Sequence, residues 1–320
     1  MMPNYNTRAI PRADLGQAMH EFALDQVNYI GMRVAPPVLV GEKSATFSKL
    51  ERESLLRAEG TLQRAPRSEY VRVRHSYVDD TYDCVEYGLE SELDDSQRRE
   101  WELDLDAELD TTKNITHRLL REQELRWQEA LFNTTTFTGS DLFTDNSSEP
   151  WNAATSDVIG HVLAAKDKVR INTGMKANTL VIGRGTYNNV LNNDAIVHRI
   201  FNVQEADEAA VAMAMAPIFG MSNIFVGDAV YDGGADGGTF SGTDVWGTTY
   251  ALVCATATSN NIAEPCIART FVWQDDAGTP MTVEQYRQEE RRSDVFRVRQ
   301  NCDEKLIDAY FGHLLQIETT

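Results

Sequence analysis

The stretch that decides how this chain folds reads KSATFSKLERESLLRAEGTLQRAPRSEYVRVR and occupies residues 43–74. It holds eight lysines and arginines against four glutamates, a net charge of +4 in a chain whose formal charge is −19. It contains no apolar stripe long enough to build a compact core. We therefore expect an extended cationic segment, Gly41 to Arg74, that is stabilised by contacts outside itself.

A strongly acidic segment follows this loop. Between Asp83 and Asp110 twelve acidic residues stand against two arginines, a net charge of −10. Charges of one sign at this density repel within one subunit and favour docking of a cationic segment from another. The alternative interpretation is that the two segments are solvated surfaces that do not contact each other. It stays open because a single surface ion pair contributes only about 0–1 kcal/mol to stability.

These two segments supply our candidate contacts between subunits. The cationic candidates are Arg52, Arg57, Arg64, Arg67, Arg72 and Arg74. The anionic candidates are Asp94, Asp95, Glu100, Asp104 and Glu108.

Length and composition restrict the class of protein. A chain of 320 residues that is 42% hydrophobic can bury a sizeable core. Its acidic balance argues against a sequence-reading DNA-binding protein, which needs clustered positive charge. Met1–Arg12 lacks an apolar signal region, and no run of eighteen apolar residues occurs. We expect synthesis and folding in a reducing cytoplasm without membrane insertion.

Two alternating stretches and one helical stretch predict the first half of the fold. Ala45–Ser48 and Tyr70–Arg74 alternate with period two, which predicts the strands of a ribbon that must lie on another surface. Apolar residues spaced by three or four predict a long helix from Ser96 to Phe132, about 50 Å in length. Asp110–Thr112 has weak helix propensity and is the expected place for a bend or a break.

The second half reads as a mixed α/β unit followed by strands. Asp157–Ile171 is predicted to be a helix and Thr179–Ile182 a buried strand. Four later strand candidates are expected to return to the sheet that begins near Tyr77–Leu89. They are Tyr250–Cys254, Thr270–Trp273, Val295–Arg299 and Ala309–Ile317.

One glycine motif has the layout of a phosphate-binding turn. Thr179–Asn188 reads TLVIGRGTYN, a strand, a glycine turn and a helix start. It lacks the third glycine, and no Gly-Lys-Ser or Gly-Lys-Thr follows. A tight turn at a strand end is therefore favoured, and a nucleotide-binding α/β enzyme is the minor alternative.

No other pattern supports a catalytic, cofactor or metal site. The loop Asp232–Gly238 could hold a cation weakly through Asp228, Asp232 and Asp236, but it lacks the EF-hand pattern, and a plain acidic loop is the simpler interpretation. The six histidines form no recognisable motif. The four cysteines lack CxxC spacing and are expected to be buried free thiols. We predict that the chain is not an enzyme and needs no cofactor.

Taken in order, several segments resemble a known family. They are the N-terminal arm, the basic ribbon, Tyr82–Leu89 (YDCVEYGL), the helix end Trp127–Phe132 (WQEALF), Val169–Gly183 and Ser293–Gln300. This order resembles the tailed-bacteriophage major capsid proteins of the HK97-like fold, over nearly the whole chain.

The resemblance implies an α+β fold with five parts. They are an N-terminal arm (1–40), an extended β-ribbon loop (41–78), a peripheral domain with a long spine helix (79–152), an α/β axial domain (153–280) and return strands of the peripheral domain (281–320).

The resemblance also implies a function. Such proteins assemble as pentamers and hexamers into an icosahedral shell around double-stranded DNA, without sequence-specific binding, and the extended loop lies across the adjacent subunit. We expect a virion capsid protein assembled in the host cytoplasm with a portal, and with a separate scaffolding protein because only about forty residues precede the loop. The alternative within the same fold is an encapsulin-type nanocompartment shell, which encloses cargo protein instead of DNA.

Overall fold

The computed structural model describes most of the chain. The described residues are 9–12, 15–16, 18–19, 22, 28–58, 62–64, 66–70, 72–73, 76–101, 107–196, 215–234, 237–274 and 281–319. Helices and sheets are both present, as expected for an α+β fold.

In chain order the strands are β1 (Ile10–Pro11), β2 (Pro37–Val40), β3 (Ser44–Leu50), β4 (Tyr77–Asp83), β5 (Val85–Asp94), β6 (Phe143–Asp145), β7 (Thr179–Gly183), β8 (Asn223–Gly227), β9 (Val230–Asp232), β10 (Gly242–Asp244), β11 (Tyr250–Cys254), β12 (Ala268–Trp273), β13 (Met281–Gln288), β14 (Ser293–Leu306) and β15 (Gly312–Gln316). The helices are α1 (Gly31–Val34), α2 (Arg52–Leu56), α3 (Asp95–Trp101), α4 (Ala107–Leu131), α5 (Val158–Thr173) and α6 (Arg184–Leu191), with a 3-10 turn at Ala309–Phe311.

The first sheet, which we call the long-strand sheet, is organised around β14. Its main order is β1-β13-β14-β12-β2. Strand β5 also pairs with the long strand β14. The β5–β14 ladder runs from Asp94 opposite Ser293 to Val85 opposite Cys302. Helix α4 packs on this sheet and buries Ile115 and Leu119 in one cluster with Phe296.

The second sheet has five strands in the order β6-β15-β11-β7-β8. Val158, Val162 and Val169 on one face of α5 are buried in its core. Asp157 caps this helix by accepting the Gly160 N–H, at 2.9 Å, and Gly174 ends it with a φ of 72°. The predicted helix over Asp157–Ile171 and the predicted strand over Thr179–Ile182 are therefore both observed.

The late strands divide between the two sheets, which corrects one expectation. β12 and β14 join the long-strand sheet, as predicted for Thr270–Trp273 and Val295–Arg299, but β11 and β15 pair with each other in the five-stranded sheet. The prediction was wrong for Tyr250–Cys254 and Ala309–Ile317, so residues 281–320 contribute to both sheets. Consecutive apolar residues such as Leu314 and Leu315 mark a strand buried on both faces, and that pattern does not identify its neighbours.

The predicted long helix is present as α3 and α4, with residues 102–106 outside the described residues. Helix α4 alone has 25 residues and spans about 37 Å. The helix does not break at Asp110–Thr112, which lies within α4. The Thr112 hydroxyl donates to the Glu108 carbonyl at 2.7 Å, so this weak helix former is satisfied inside the helix.

One buried carboxylate joins three parts of the chain. Glu124 of α4 is 2% exposed, and its Oε1 accepts the Ile30 N–H at 2.8 Å and the Trp246 Nε1–H at 2.5 Å. Its Oε2 accepts the Gly31 N–H at 2.8 Å. Burial raises the pKa of Glu124, although the three donors oppose that shift. The chain ahead of β2 and the loop ahead of β11 are thus both fastened to α4.

The crossover between the two sheets, from β11 to β12, has a second buried charge. Arg269 is fully buried and donates to the carbonyl oxygens of Ser259 (2.7 Å) and Asn261 (2.8 Å) and to the Glu264 carboxylate (3.1 Å). Thr258 and Ser259 donate four further hydrogen bonds to that carboxylate. Burial opposes ionisation, but these donors prevail and lower the pKa of Glu264 to about 2.

We predict that Glu124→Leu destabilises the subunit strongly, because it leaves three buried N–H groups without an acceptor, each costing about 1–3 kcal/mol. Glu124→Gln retains one acceptor oxygen and should cost less. Denaturant unfolding of the unassembled subunit measures both. Glu129→Leu, at an exposed position of the same helix, is the control, and an equal effect of Glu129→Leu and Glu124→Leu would contradict this role.

We also predict that Glu264→Gln lowers the free energy of unfolding by about 1–3 kcal/mol at pH 7. Because the pKa of Glu264 is depressed in the folded chain, its contribution is present above its ordinary pKa and is lost as pH falls from about 4.5 towards 2. The difference between wild type and variant should shrink over that interval. Glu290→Gln, at an exposed position, should show no such convergence.

Candidate subunit-contact surfaces

The base of the extended loop is anchored to its own subunit. Strands β3 and β4 pair antiparallel from Ser44 opposite Asp83 to Leu50 opposite Tyr77. Phe47 and Tyr82 carry this ribbon onto Phe271 of β12, with ring centroids 5.3 and 4.6 Å from the Phe271 ring. Aromatic burial against the long-strand sheet therefore fixes where the ribbon lies.

This pairing corrects the predicted ribbon. The strand over Ala45–Ser48 is observed within β3, but its partner is β4 and not Tyr70–Arg74. Tyr70, Arg72 and Val73 are not in a strand. β4 brings Tyr82 to the Phe271 ring, whereas Tyr70 and Val73 are largely exposed.

A cluster of charges reinforces the base. The Asp80 carboxylate accepts hydrogen bonds from Lys49 Nζ and pairs with Lys305 Nζ, each at 3.0 Å. Lys49 also donates to the Ile307 carbonyl at 2.8 Å. Burial opposes ionisation of Asp80, but the two lysines and the Thr81 N–H lower its pKa.

The distal part of the loop is exposed. The exposed fractions are 69% for Leu62, 73% for Tyr70 and 48% for Val73. Arg64 donates from Nε to the Ser68 carbonyl at 2.6 Å and lies over the Tyr70 ring, so it organises the loop itself. The distal loop therefore presents apolar side chains that the described part of its own subunit does not cover.

The six candidate arginines of the loop differ from one another in their surroundings. Arg52 stacks on Tyr310 of its own subunit, with its guanidinium carbon 3.6 Å from the ring centroid. Arg57, Arg67 and Arg72 are exposed. Arg74 lies outside the described residues.

Several of the candidate acids already have partners in the same subunit. Asp95 receives a two-pronged hydrogen bond from Arg287, at 2.7 and 2.8 Å, which lowers the pKa of Asp95. Glu108 pairs with Arg98, and Asp94 accepts from Ser96. Glu100 is exposed and has no ion pair among the described residues, and Asp104 lies outside them.

Further cations that neutralise this acidic surface come from the end of β13 and from the turn that follows it. Arg287 binds Asp95, Arg291 pairs with Glu92, and Arg292 lies 4.0 Å from Asp95. Sequence reasoning missed them because they lie about 190 residues away along the chain. The arginine cluster at 287–292 was the available signal.

The glycines of the turn after β7, Gly183 and Gly185, allow another segment of the chain to pack closely against it. A Cβ on Gly183 would overlap the Trp246 carbonyl, and one on Gly185 would lie 2.5 Å from Thr248 Cγ2. The segment 246–248 thus fills the space in front of the turn. A phosphate bound there would need this segment to move, so the geometry favours the tight turn over nucleotide binding.

The acidic loop near β9 shows internal bonding. Asp228 pairs with Arg184, and Asp232 accepts the N–H groups of Gly234 (3.0 Å) and Ser241 (2.9 Å). Asp236 lies outside the described residues. In the part of the chain that is described, no three potential ligand side chains come together for a metal ion, and no helix is long and apolar enough to cross a membrane.

Comparisons with known proteins agree with this architecture. No protein family model matches the chain. It is 25% identical over 228 residues to the major capsid protein of Burkholderia phage BcepMu, covering 70% of each protein.

Solved structures show the same fold. A phage-related protein from Bordetella bronchiseptica RB50 superposes with a TM-score of 0.70 at 18% identity, covering 97% of this chain and 98% of that one. The capsid of a native GTA particle gives a TM-score of 0.59 at 10% identity, covering 100% and 95%.

The chain therefore has the HK97-like fold of shell-forming proteins. Within that class it is similar to the major capsid proteins of tailed bacteriophages, which confirms the resemblance found in its sequence.

We predict that Asp80→Asn loosens the base of the loop, because Lys49 and Lys305 lose their shared carboxylate, at a cost of about 1 kcal/mol. Trypsin should cleave the loop faster, at its arginines between residues 57 and 74. Asp79→Asn is the matched control, since Asp79 is the exposed neighbour and its carboxylate accepts a hydrogen bond from Ser48 Oγ instead of from a lysine. Equal cleavage rates in the two variants would contradict the proposed anchor.

Proposed function

We propose that this chain is the major capsid protein of a tailed bacteriophage, self-assembling as pentamers and hexamers into the icosahedral head around double-stranded DNA. The observation that carries the proposal is a loop whose base is fixed by Phe271 and Asp80 while its distal part exposes Leu62, Tyr70 and Val73. On the HK97-like fold, such a loop is placed to cover an adjacent copy.

The likeness to that fold also suggests domain roles. We assign the long-strand sheet with α4 to the peripheral domain and the five-stranded sheet with α5 to the axial domain. A shell built this way gains its stability from many repeated interfaces of moderate area, and not from one ligand site. The role is structural and not enzymatic.

The charge of the chain suits a container for DNA. A subunit of formal charge −19 does not gain free energy by neutralising phosphates, so packaged DNA would stay free to move. We place the protein in the virion capsid, assembled in the host cytoplasm with a portal and a separate scaffolding protein.

Electron microscopy of the purified protein tests the proposal directly. Closed shells are expected, and discrete small oligomers would overturn it. Nucleic acid inside shells from infected cells supports the phage head, whereas shells that contain a cargo protein support the encapsulin-type alternative.

The exposed loop arginines give a sharper test. We predict that the triple variant Arg57→Glu, Arg67→Glu, Arg72→Glu yields folded, soluble subunits that do not form particles, because like charges then meet at every repeated contact. Sedimentation should show particle yield reduced by roughly tenfold or more, since about 1.4 kcal/mol per contact suffices for that factor.

The control is the matched triple variant with lysine at the same positions, which preserves charge and exposure. It should retain particles. Normal particles from the glutamate variant would remove the loop arginines from the assembly contacts, while loss of particles from both variants would assign their role to arginine geometry instead of charge.

A further inference from the structure

A cleft of about 690 Å³ separates the start of the extended loop from the rest of its own subunit. Helix α2 and the loop residues that flank it form one wall. The opposite wall is formed by Asp141, Ile171, Asn172 and Tyr310. Because both walls belong to one chain, a movement of α2 changes the width of the cleft.

Helix α2 touches the opposite wall at two points. Leu56 lies against the backbone where α5 ends, since a Cβ on Gly174 would be 2.7 Å from Leu56 Cδ2. The guanidinium carbon of Arg52 lies 3.6 Å from the centroid of the Tyr310 ring. The position of α2 on its own subunit is therefore defined, and the cleft lies directly beside it.

These contacts leave apolar surface exposed on both walls. Leu56 is 46% exposed, and Ile171, in the last turn of α5, is 64% exposed. Ile171 precedes Gly174 by three residues, which is about 4.5 Å along the helix axis. A displacement of Leu56 by one helical turn would place it on Ile171, and burial of the two side chains favours that movement.

The backbone around α2 permits this displacement. Glu51 (φ −67°, ψ 130°) and Arg57 (φ −65°, ψ 127°) are extended, so non-helical residues join the five-residue helix to the loop at both ends. The Glu51 N–H donates to the Ser76 carbonyl at 3.1 Å, and the Ser76 N–H donates to Ser54 Oγ at 3.2 Å. Both bonds lie towards the N-terminal end of α2. That end is therefore the pivot, and Leu56 at the other end moves most.

We propose that α2 is a strap that closes over Ile171 of its own subunit when subunits assemble. Leu56 would pack on Ile171, while Arg52 would stay on Tyr310 beside the pivot. Closure would fix the direction in which the distal loop leaves the subunit.

The proposal rests on the proposed shell function, in which the distal loop covers a neighbour. A loop whose direction is fixed loses less conformational freedom when it binds that neighbour. Closure therefore favours assembly, and by reciprocity assembly favours closure.

Thiol labelling of Ile171→Cys tests the closure. In unassembled subunits the introduced thiol should react readily with a maleimide, whereas the four native cysteines are buried. In particles its rate of reaction should fall by about tenfold or more, since a strap that is closed nine-tenths of the time gives that factor. An unchanged rate on assembly would overturn the inference.

A second substitution shows what covers the thiol. Adding Leu56→Ser should restore most of the reactivity in particles, because the strap loses its apolar contact. Leu62→Ser is the matched control, since Leu62 is 69% exposed in the same loop and does not line the cleft. It should leave the protection intact. Protection that persists with Leu56→Ser would assign the cover to another copy and overturn the strap.

Cross-linking of Leu56→Cys to Ile171→Cys gives a second readout. A disulfide needs Cβ atoms about 3.5–4.5 Å apart, so its formation reports a closed cleft. The bond should form within one chain, and at least about tenfold faster in particles than in unassembled subunits. Equal rates, no bond, or a bond that joins two chains would overturn the strap and leave the shell function intact. Failure of the wild-type protein to form particles would instead remove the shell function itself.

Discussion

The fold depends on the carboxylate of Glu124. It is buried in the middle of α4, and it holds the backbone at Ile30 and Gly31 on one side and the indole of Trp246 on the other. Gly31 has to be glycine because a Cβ there would lie 2.7 Å from Trp127. A single acceptor thus ties the N-terminal segment and the five-stranded sheet to the helix that also packs on the long-strand sheet. Burying a carboxylate without a neighbouring cation costs free energy of folding, and the three N–H donors to Glu124 offset that cost.

The extended loop is anchored at its base and exposed at its distal end. The base of the β3–β4 ribbon is anchored to the rest of its subunit through Phe47, Tyr82 and Asp80. The distal residues of the loop therefore do not need to fold back to hold the base in place. Leu62, Tyr70 and Val73 remain in solvent in the isolated chain. The base of the loop is therefore anchored to the subunit, whereas its distal end is exposed.

Charge has two separate roles in this arrangement. Most of the acids near α3 are held by arginines of the same subunit, as Asp95 is by Arg287, and they stabilise the fold. Glutamates on β5 are partly engaged in the same way, with Glu90 on Arg297 and Glu92 on Arg291, whereas Glu86 has no ion pair among the described residues.

The sequence alone determined the elements whose signals are local. The 3.6-residue period gave α4 and α5, the apolar run Thr179–Ile182 gave β7, and the charge of residues 43–74 indicated a loop that needs support from elsewhere. Tertiary structure decided which strands pair, which sheet receives β15, and which arginines neutralise Asp95. Those outcomes join residues that are far apart along the chain and depend on packing, as where Phe271 of β12 packs against Phe47 and Tyr82 of the paired strands β3 and β4. Local periodicity specifies the faces of an element, but only burial against the rest of the chain specifies what each face meets.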